Sequence, residues 1–315
     1  MKSPNLVSVA WLRRVGAMAS TLLVTSFLVF SSLYLAPGDP VAFLVKGRSP
    51  SPEQLAAIRH EYGFDKPFPV RYWDWLTGLL HGDFGQSYQL HASVASVIGS
   101  RLPSTLLLVA LATVLIVVLG VGLGVFGALR GGKGVVVAVT VGAAVPSFTA
   151  AIVLRSVFGV RLGWFPTVGT GSGFGDELHH MLLPAIALAI TFMALVTRVT
   201  RAAMLEELGR EHVEVVTSRG LPRTAVIRRH VLRNALGPVV TVSALLISGL
   251  LVSTAIVESA FGMNGVGSLL VSSVNHMDFP VVQAVVLLVV AAFVVVNTVV
   301  DLVYPVIDPR VRAAR

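Results

Sequence analysis

Residues 15–36 read VGAMASTLLVTSFLVFSSLYLA and contain no Asp, Glu, Lys or Arg. As a helix, this stretch of 22 residues is about 33 Å long, enough to cross a bilayer core of ~30 Å. A cleaved signal sequence has a shorter apolar region, of about 7–15 residues. The stretch therefore predicts a retained transmembrane helix, and the Arg13–Arg14 pair before it indicates orientation rather than export.

Five further stretches of spanning length also lack charged residues: 103–129, 135–154, 181–197, 236–257 and 281–300. Each is predicted to be helical, because in lipid every backbone N–H and C=O needs a partner within the segment. The composition agrees, with 55% hydrophobic and only 13% charged residues and a mean hydropathy of +0.82. A soluble protein has about 25% charged residues. The predicted fold is an all-α integral membrane protein with six transmembrane helices.

The basic residues predict how these helices are oriented. If the first residues lie inside, sixteen of the 24 Lys and Arg residues fall on the inner side, as the positive-inside rule requires. They are Lys2, Arg13, Arg14, Arg130, Lys133, the eight arginines in residues 198–235, Arg310, Arg312 and Arg315. Both termini are therefore predicted inside, and the net charge of +8 needs no nucleic acid to explain it.

The resulting division has an inner N-terminus at residues 1–14, the first span at 15–36 and a large outer loop at 37–102. A core of five spans follows at 103–310, with an inner tail at 311–315. The outer loop contains Ser51-Pro52-Glu53-Gln54, which is typical of a capping box at a helix start. An apolar stretch follows at residues 70–80, and its aromatic residues fit a membrane interface and internal packing equally well.

Residues 198–235, which we call the basic segment, are too polar to cross the membrane. The pattern predicts a helix over residues 204–218, a break at Gly220, and a second helix from Pro222 to Arg233. Two short helices around a glycine would form a compact knob on the inner side. Since the chain has no other sizeable inner element, this knob is predicted to dock a partner.

The sequence contains no recognisable catalytic constellation, so the chain is not expected to be an enzyme. Residues 127–134 resemble a P-loop, but Gly134 replaces the required Ser or Thr and a membrane helix precedes the motif, which favours a turn. His212-Val-Glu lacks the cysteines of a deaminase zinc motif, because the chain has none. His179–His180 is more typical of a polar helix entrance than of a metal site. No cofactor is expected in this chain.

Polar residues inside the predicted spans are candidates for a functional path. Arg155 lies toward the outer end of the third span, where it either has a function or extends to the interface. The fifth span is rich in small residues, which favour close helix packing or a polar path. The candidates for that translocation path are Ser248, Ser253, Thr254 and Glu258. Glycines in residues 262–267 permit a tight turn or a re-entrant dip.

The basic segment resembles the EAA loop of ATP-binding-cassette importer permeases. Glu214, Gly220 and Leu232 match its pattern in register. The resemblance implies that this loop contacts the ATPase through Glu214, Arg219, Gly220, His230, Leu232 and Arg233.

Other stretches are similar to the dipeptide, oligopeptide and nickel permeases. They include Leu35-Ala-Pro-Gly-Asp-Pro40, Gly82-Asp-Phe-Gly85, Leu102-Pro-Ser-Thr105, Arg161-Leu-Gly-Trp-Phe-Pro166, Arg229-His-Val-Leu-Arg-Asn-Ala235, residues 261–267 and Asp308-Pro-Arg310. The resemblance implies an importer in the bacterial cytoplasmic membrane, with a second permease, two cytosolic ATPases that bind ATP, and an extracytoplasmic solute-binding protein. ATPase closure would move the knob and switch the path from inward- to outward-facing.

The transported solute is expected to be a di- or oligopeptide, with nickel or a metal chelate as the alternative within the same architecture. An ion-coupled secondary transporter is the alternative from another class. It would be expected to show ionisable residues in mid-membrane and internal repeats, neither of which is clear in this sequence.

Overall fold

A computed structural model describes residues 4–35, 51–61 and 63–307 of the chain, and these residues are almost entirely helical. The helices are α1 (Pro4–Leu35), α2 (Pro52–Glu61), α3 (Phe68–Leu80), α4 (Val94–Leu129), α5 (Lys133–Ala143), α6 (Ser147–Leu154), α7 (Phe174–Leu208), α8 (Glu211–Ser218), α9 (Arg223–Val226), α10 (Arg233–Ala260), α11 (Val266–Asn275) and α12 (Phe279–Ile307). Two π-helical segments, Arg155–Arg161 and Ile227–Leu232, follow α6 and α9 directly. The predicted all-α fold is confirmed. The family-like stretch Asp308-Pro-Arg310 lies outside the described residues.

Five helices in the described ranges are long and apolar enough to cross a membrane, or six if one bent pair counts as a single span. That pair corresponds to the predicted third span, which was expected to be one uninterrupted helix. Instead it turns by 94° between residues 143 and 147. Pro146 lies at this break, where it removes one backbone donor and disfavours helical geometry at the residue before it.

The chain forms two compact units, the first consisting of residues 1–101 and 269–294. In this unit the aromatic residues of α3 pack on α1. Phe30 lies with its ring centroid 5.5 Å from that of Tyr72 and 5.1 Å from that of Trp75, and Tyr72 also shares a 2.8 Å hydrogen bond with Ser26. Of the two roles left open for this stretch, packing therefore applies to Tyr72 and Trp75, while Trp73 is 64% exposed.

The capping box predicted in the outer loop is present at the start of α2. The backbone N–H of Gln54 donates to the Ser51 hydroxyl at 3.3 Å, and the Ser51 N–H donates to the Gln54 side-chain oxygen at 3.0 Å. The helix ends before Gly63, whose φ of +64° is the left-handed geometry of a helix C-terminus.

The second unit consists of residues 102–268 and 295–315, and α7 lies in its core. Helices α4 and α7 approach closely because α4 presents glycine at the contact. A Cβ atom added at Gly120 would lie 2.8 Å from Val196, and one added at Gly124 would lie 2.8 Å from the carbonyl oxygen of Thr197. The Gly-x-x-x-Gly spacing thus serves the close helix packing that small residues permit in membranes.

Arg155 has a different role from the two that were weighed for it. Its guanidinium donates a hydrogen bond to the backbone carbonyl of Ala260, the last residue of α10. A cation at this position stabilises the unpaired carbonyls at a helix C-terminus.

The chain then turns at Gly262, with φ of +56°, into the short helix α11, so the predicted tight turn is present.

Candidate functional site

The basic segment folds into a knob whose helices differ from those predicted. The predicted helix over residues 204–218 is interrupted, because α7 ends at Leu208 and α8 begins only at Glu211. Gly209, a poor helix former, ends α7, and Arg210 is extended, with φ −85° and ψ 143°. After α8 the chain reverses at Gly220, whose φ is +80°.

The second predicted helix of the knob is not a separate element. The chain remains helical from Arg223 through the π-helical segment Ile227–Leu232 and directly into α10. The prediction that it would end at Arg233 was therefore wrong. The apolar sequence after residue 235 continues the helix. The knob is therefore connected without a break to the transmembrane helix α10.

A small hydrophobic core holds α8 against the ends of α7 and α10. Met204, Val213, Val226, Val231 and Ala235 are all at least nine-tenths buried in one cluster. Burying a side chain of this size contributes about 1.5–3 kcal/mol. The knob is thus a packed element with a hydrophobic core of its own.

A buried carboxylate adds a polar connection between the same three elements. Glu207, whose side chain is 9% exposed, lies 3.0 Å from the guanidinium of Arg210 and 3.6 Å from the ring of His212. The amide of Asn234, in the first turn of α10, donates to it at 3.3 Å. The pKa of Arg210 is raised by its hydrogen bond to Glu206 and by the charge of Glu207. Sequence reasoning missed Glu207, since nothing in its pattern separates it from the exposed Glu206.

The side of α8 that faces away from the core of the knob is exposed and carries both polar and apolar side chains. Glu214, Thr217 and Ser218 are exposed, and the apolar Val215 is 51% exposed beside them. A cavity of about 610 Å³ lies next to this face and is lined by Glu214, Leu221 and Arg223 among others. This face therefore offers both apolar area and charge to a partner.

The other predicted coupling residues lie around this face. Arg219 and Gly220 are exposed at the end of α8, and no atom lies within 4 Å of a Cβ added at Gly220. Leu232 packs against the core of the knob, His230 is half-buried and Arg233 is exposed. The structure thus places all six predicted residues in one knob, but their contact with an ATPase stays a prediction.

The predicted path residues are not grouped on an open surface. Ser253 and Thr254 each donate a hydrogen bond to a backbone carbonyl of their own helix, and the side chain of Ser248 lies outside the described part. Thr254 and Glu258 have no exposed area. Glu258 accepts hydrogen bonds from Thr105 and from the backbone N–H of Ser268. This geometry favours a structural role for Glu258, and its place on a translocation path stays a prediction.

Two family models of membrane transport proteins match this chain. The family model described as the inner membrane component of binding-protein-dependent transport systems matches residues 116–313. A second model, for the N-terminal part of the membrane component, matches residues 9–109. The chain belongs to this family.

Curated relatives of this permease cover nearly its whole length. The glutathione transport system permease protein GsiC of Salmonella typhimurium is 36% identical over 306 residues, which is 96% of this chain and 98% of the relative. A putative peptide transport system permease protein of Brucella abortus is 38% identical over 308 residues, with the same coverage of both chains.

Solved structures share the fold of the permease. An inward-facing form of the MetNI methionine ABC transporter gives a TM-score of 0.56 at 16% identity, over 67% of this chain and 96% of the other. An amino acid ABC transporter gives a TM-score of 0.52 at 17% identity, over 66% and 93% of the two chains. By its family, the chain is a permease subunit of a binding-protein-dependent transport system located in the inner membrane, and its relatives are transport permeases, not enzymes.

Proposed function

We propose that the basic segment of this permease docks into a cytosolic ATPase and passes its motion to the transmembrane helices. The observation that supports this most directly is the half-exposed Val215 on α8, which follows Glu214, a residue that lines a cavity of about 610 Å³. An apolar anchor within a polar rim is the usual composition of a protein interface.

The connection from the knob to the membrane supports the coupling role. The π-helical segment Ile227–Leu232 runs without a break into α10, and Glu207 joins the end of α7 to Asn234 of α10. A displacement of α8 therefore displaces two transmembrane helices. ATP is bound by the ATPase partners, and a second permease completes the path. For directed import, ATP and the loaded binding protein must stabilise different states of that path.

We further propose that the solute is a peptide. This rests on the names of the relatives, one a glutathione permease and another a putative peptide permease, since glutathione is itself a small peptide. The alternative of nickel or a metal chelate has no support from side chains, because no cluster of three His, Asp or Glu among the described residues would hold a metal ion. Family membership favours the ATP-driven importer over an ion-coupled secondary transporter.

The proposed orientation has both termini in the cytosol and residues 37–102 outside. The turn between α4 and α5 would then be cytosolic, and the loop after the π-helical segment Arg155–Arg161 would be external. A reporter active only outside the membrane should be silent when fused after Gly132 and active after Thr170. The reverse result would contradict this orientation.

The docking proposal is tested by changing the exposed face of α8. Glu214→Arg and Val215→Asp should leave insertion normal but reduce copurification of the ATPases by tenfold or more, because an interface charge or anchor is typically worth about 2 kcal/mol or more. Arg130→Gln, in the loop between α4 and α5, changes an exposed charge outside the basic segment and should have little effect. Normal copurification and normal ATP-driven uptake by both α8 variants would overturn the proposal.

A further inference from the structure

The first unit contains a second cavity. Its lining residues are distant in sequence from those of the knob and include several aromatic side chains. It measures about 490 Å³ and is lined by Phe30 of α1, Trp75 of α3, the loop before α4, and the first turns of α12. Its volume lies within the ~300–1,000 Å³ typical of small-molecule sites. The aromatic side chains Trp75, Phe84, Tyr88 and Phe279 give it apolar walls.

Three features of the cavity favour a negatively charged ligand. Its lining contains two cations, Lys66 and Arg71, but one carboxylate, Asp74. Asp74 lies 2.7 Å from Lys66 and raises the pKa of that amine, so Lys66 stays protonated. The third feature is Gln283, near the start of α12, whose side-chain amide is a hydrogen-bond donor.

Gln283 provides the feature that most directly indicates a ligand. It lines the cavity and is only 5% exposed, yet its Nε2 has no hydrogen-bond partner among the described residues. A buried amide donor without an acceptor is costly, and buried polar groups in proteins are nearly always paired. An acceptor supplied by a ligand would satisfy this donor.

The walls of the cavity are fixed in place by a buried carboxylate. Asp278, which is 1% exposed, accepts hydrogen bonds from the hydroxyl of Ser87 and from the backbone N–H groups of Tyr88 and Gln89. These contacts attach the loop before α4 to the start of α12, so the cavity is preorganised, which reduces the entropy lost when a ligand binds.

We propose that this cavity binds the C-terminal carboxylate of the transported peptide. Gln283 donates to the carboxylate, Arg71 and Lys66 supply the positive charge, and the aromatic walls hold an adjacent apolar side chain. The proposal rests on the proposed peptide import and adds to it a receiving site within the permease. It implies that peptides with a free carboxylate and an apolar C-terminal residue are preferred.

The test uses the importer complex in nanodiscs without its binding protein, so that only the membrane subunits contribute to binding. Alanyl-phenylalanine should bind in calorimetry about tenfold more tightly than its C-terminal amide, because a hydrogen bond to a charged group is worth about one order of magnitude in affinity. Gln283→Leu should weaken binding of the acid by roughly tenfold and binding of the amide by less, because the amide carbonyl accepts only a neutral hydrogen bond. Asn275→Leu, a change of an exposed amide side chain outside the cavity lining, should leave both affinities unchanged.

A stability measurement separates a binding role of Gln283 from a structural one. Because its Nε2 is unpaired without ligand, Gln283→Leu should unfold at the same temperature as the wild type or at a higher one. If that variant does not fold, Arg71→Gln can be used in the same binding experiment and should also weaken binding of the acid. Equal binding of the acid and the amide, or unchanged binding in Gln283→Leu, overturns the proposal.

A lipid headgroup is the remaining source of an anion. Binding of the dipeptide should be the same in phosphatidylcholine nanodiscs with and without phosphatidylglycerol. If the anionic lipid abolishes binding, the cavity holds a headgroup and the proposal is wrong. ATPase copurification and ATP hydrolysis in the same preparations report on the proposed importer function independently of this cavity.

Discussion

The hydroxyl of Thr105 donates a 2.7 Å hydrogen bond to the fully buried carboxylate of Glu258, across 153 residues of sequence. The same hydroxyl accepts from the backbone N–H of Val266 at 2.8 Å. The other oxygen of Glu258 accepts from the N–H of Ser268 at 2.9 Å. Thr105 and Glu258 thus connect α4, α10 and the first turn of α11, and satisfy two backbone donors that would otherwise be buried without a partner.

Replacing Thr105 tests the strength of this connection. Thr105→Val keeps the shape of the side chain but removes the acceptor of the Val266 N–H and one of the donors to Glu258. The free energy of unfolding should fall by about 1–3 kcal/mol, the cost of an unsatisfied buried group. Thermal unfolding of the purified chain measures this. Thr113→Val is the matched control on α4, since the Thr113 hydroxyl only donates to the carbonyl of Val109, and equal losses in the two variants would contradict the assigned role.

Two glycines of α4 give a paired test of helix packing. A Cβ atom at Gly124 would overlap Thr200 and Thr197 of α7, whereas one at Gly122 would meet no atom within 4 Å. Gly124→Ala should therefore lower the free energy of unfolding by about 1–3 kcal/mol through overpacking. Gly122→Ala should be neutral or stabilising by up to about 1 kcal/mol, because alanine is the better helix former. The idea fails if both variants unfold at the same temperature.

The apolar blocks of the sequence were enough to predict the fold class and the position of the spans. A stretch of spanning length without charge forms a helix in lipid. Residues 15–35 and 281–300 accordingly fall inside α1 and α12. The break in the third span was not predicted, although Pro146 lies in it. Proline is common in membrane helices, and composition does not tell a tolerated proline from one at a 94° turn.

The candidate site was predictable in its location but not in its internal contacts. The charge density of the basic segment and the break at Gly220 indicated a knob outside the membrane. The roles of Glu207 and Glu258 depend on partners far away in the sequence, 27 residues in one case and 153 in the other. No local pattern encodes such pairs. Ser253 and Thr254 are small and polar, and such residues are equally compatible with a translocation path and with helix packing.

The turn after α8 should depend on the backbone of Gly220 rather than on the size of its side chain. Its φ of +80° is unfavourable for residues with a Cβ atom, but apart from the two neighbouring residues no described atom lies within 4 Å of a Cβ placed there. Gly220→Ala should destabilise the knob by roughly 1–2 kcal/mol, and hydrogen exchange of residues 209–232 should become about five- to thirtyfold faster. Gly220→Asn should have a smaller effect, since asparagine tolerates this conformation. Gly209→Ala is the control, because Gly209 has φ −88°, and faster exchange in this control alone would refute the assignment.

Glu207 and Glu206 are adjacent acidic residues, the first buried and the second exposed. Variants of the two can therefore distinguish an effect on coupling from an effect of surface charge. The side chain of Glu207 is 9% exposed and contacts both Arg210 and His212, while that of Glu206 is 70% exposed and pairs with Arg210 alone. Glu207→Ala removes the carboxylate acceptor of Asn234, whose amide also lies 3.5 Å from the Nε2 of His212, and should cost about 1–3 kcal/mol of stability. Glu206→Ala removes an exposed ion pair worth only about 0–1 kcal/mol.

The effect of Glu207→Ala on transport should be larger than its effect on assembly. The exposed face of α8 is unchanged in this variant, so the ATPases should still copurify and hydrolyse ATP. The knob, however, would keep only the 3.5 Å contact of Asn234 with His212 and lose its contact with the carboxylate, so motion of α8 would be passed on less completely. The peptide taken up per ATP hydrolysed should therefore fall, while Glu206→Ala should keep the wild-type ratio. Glu207→Gln, which retains an oxygen for Asn234 but loses the charge, should lie between the two. An unchanged ratio in Glu207→Ala, measured in proteoliposomes with all subunits present, would show that the hydrophobic core of the knob transmits the motion without this carboxylate.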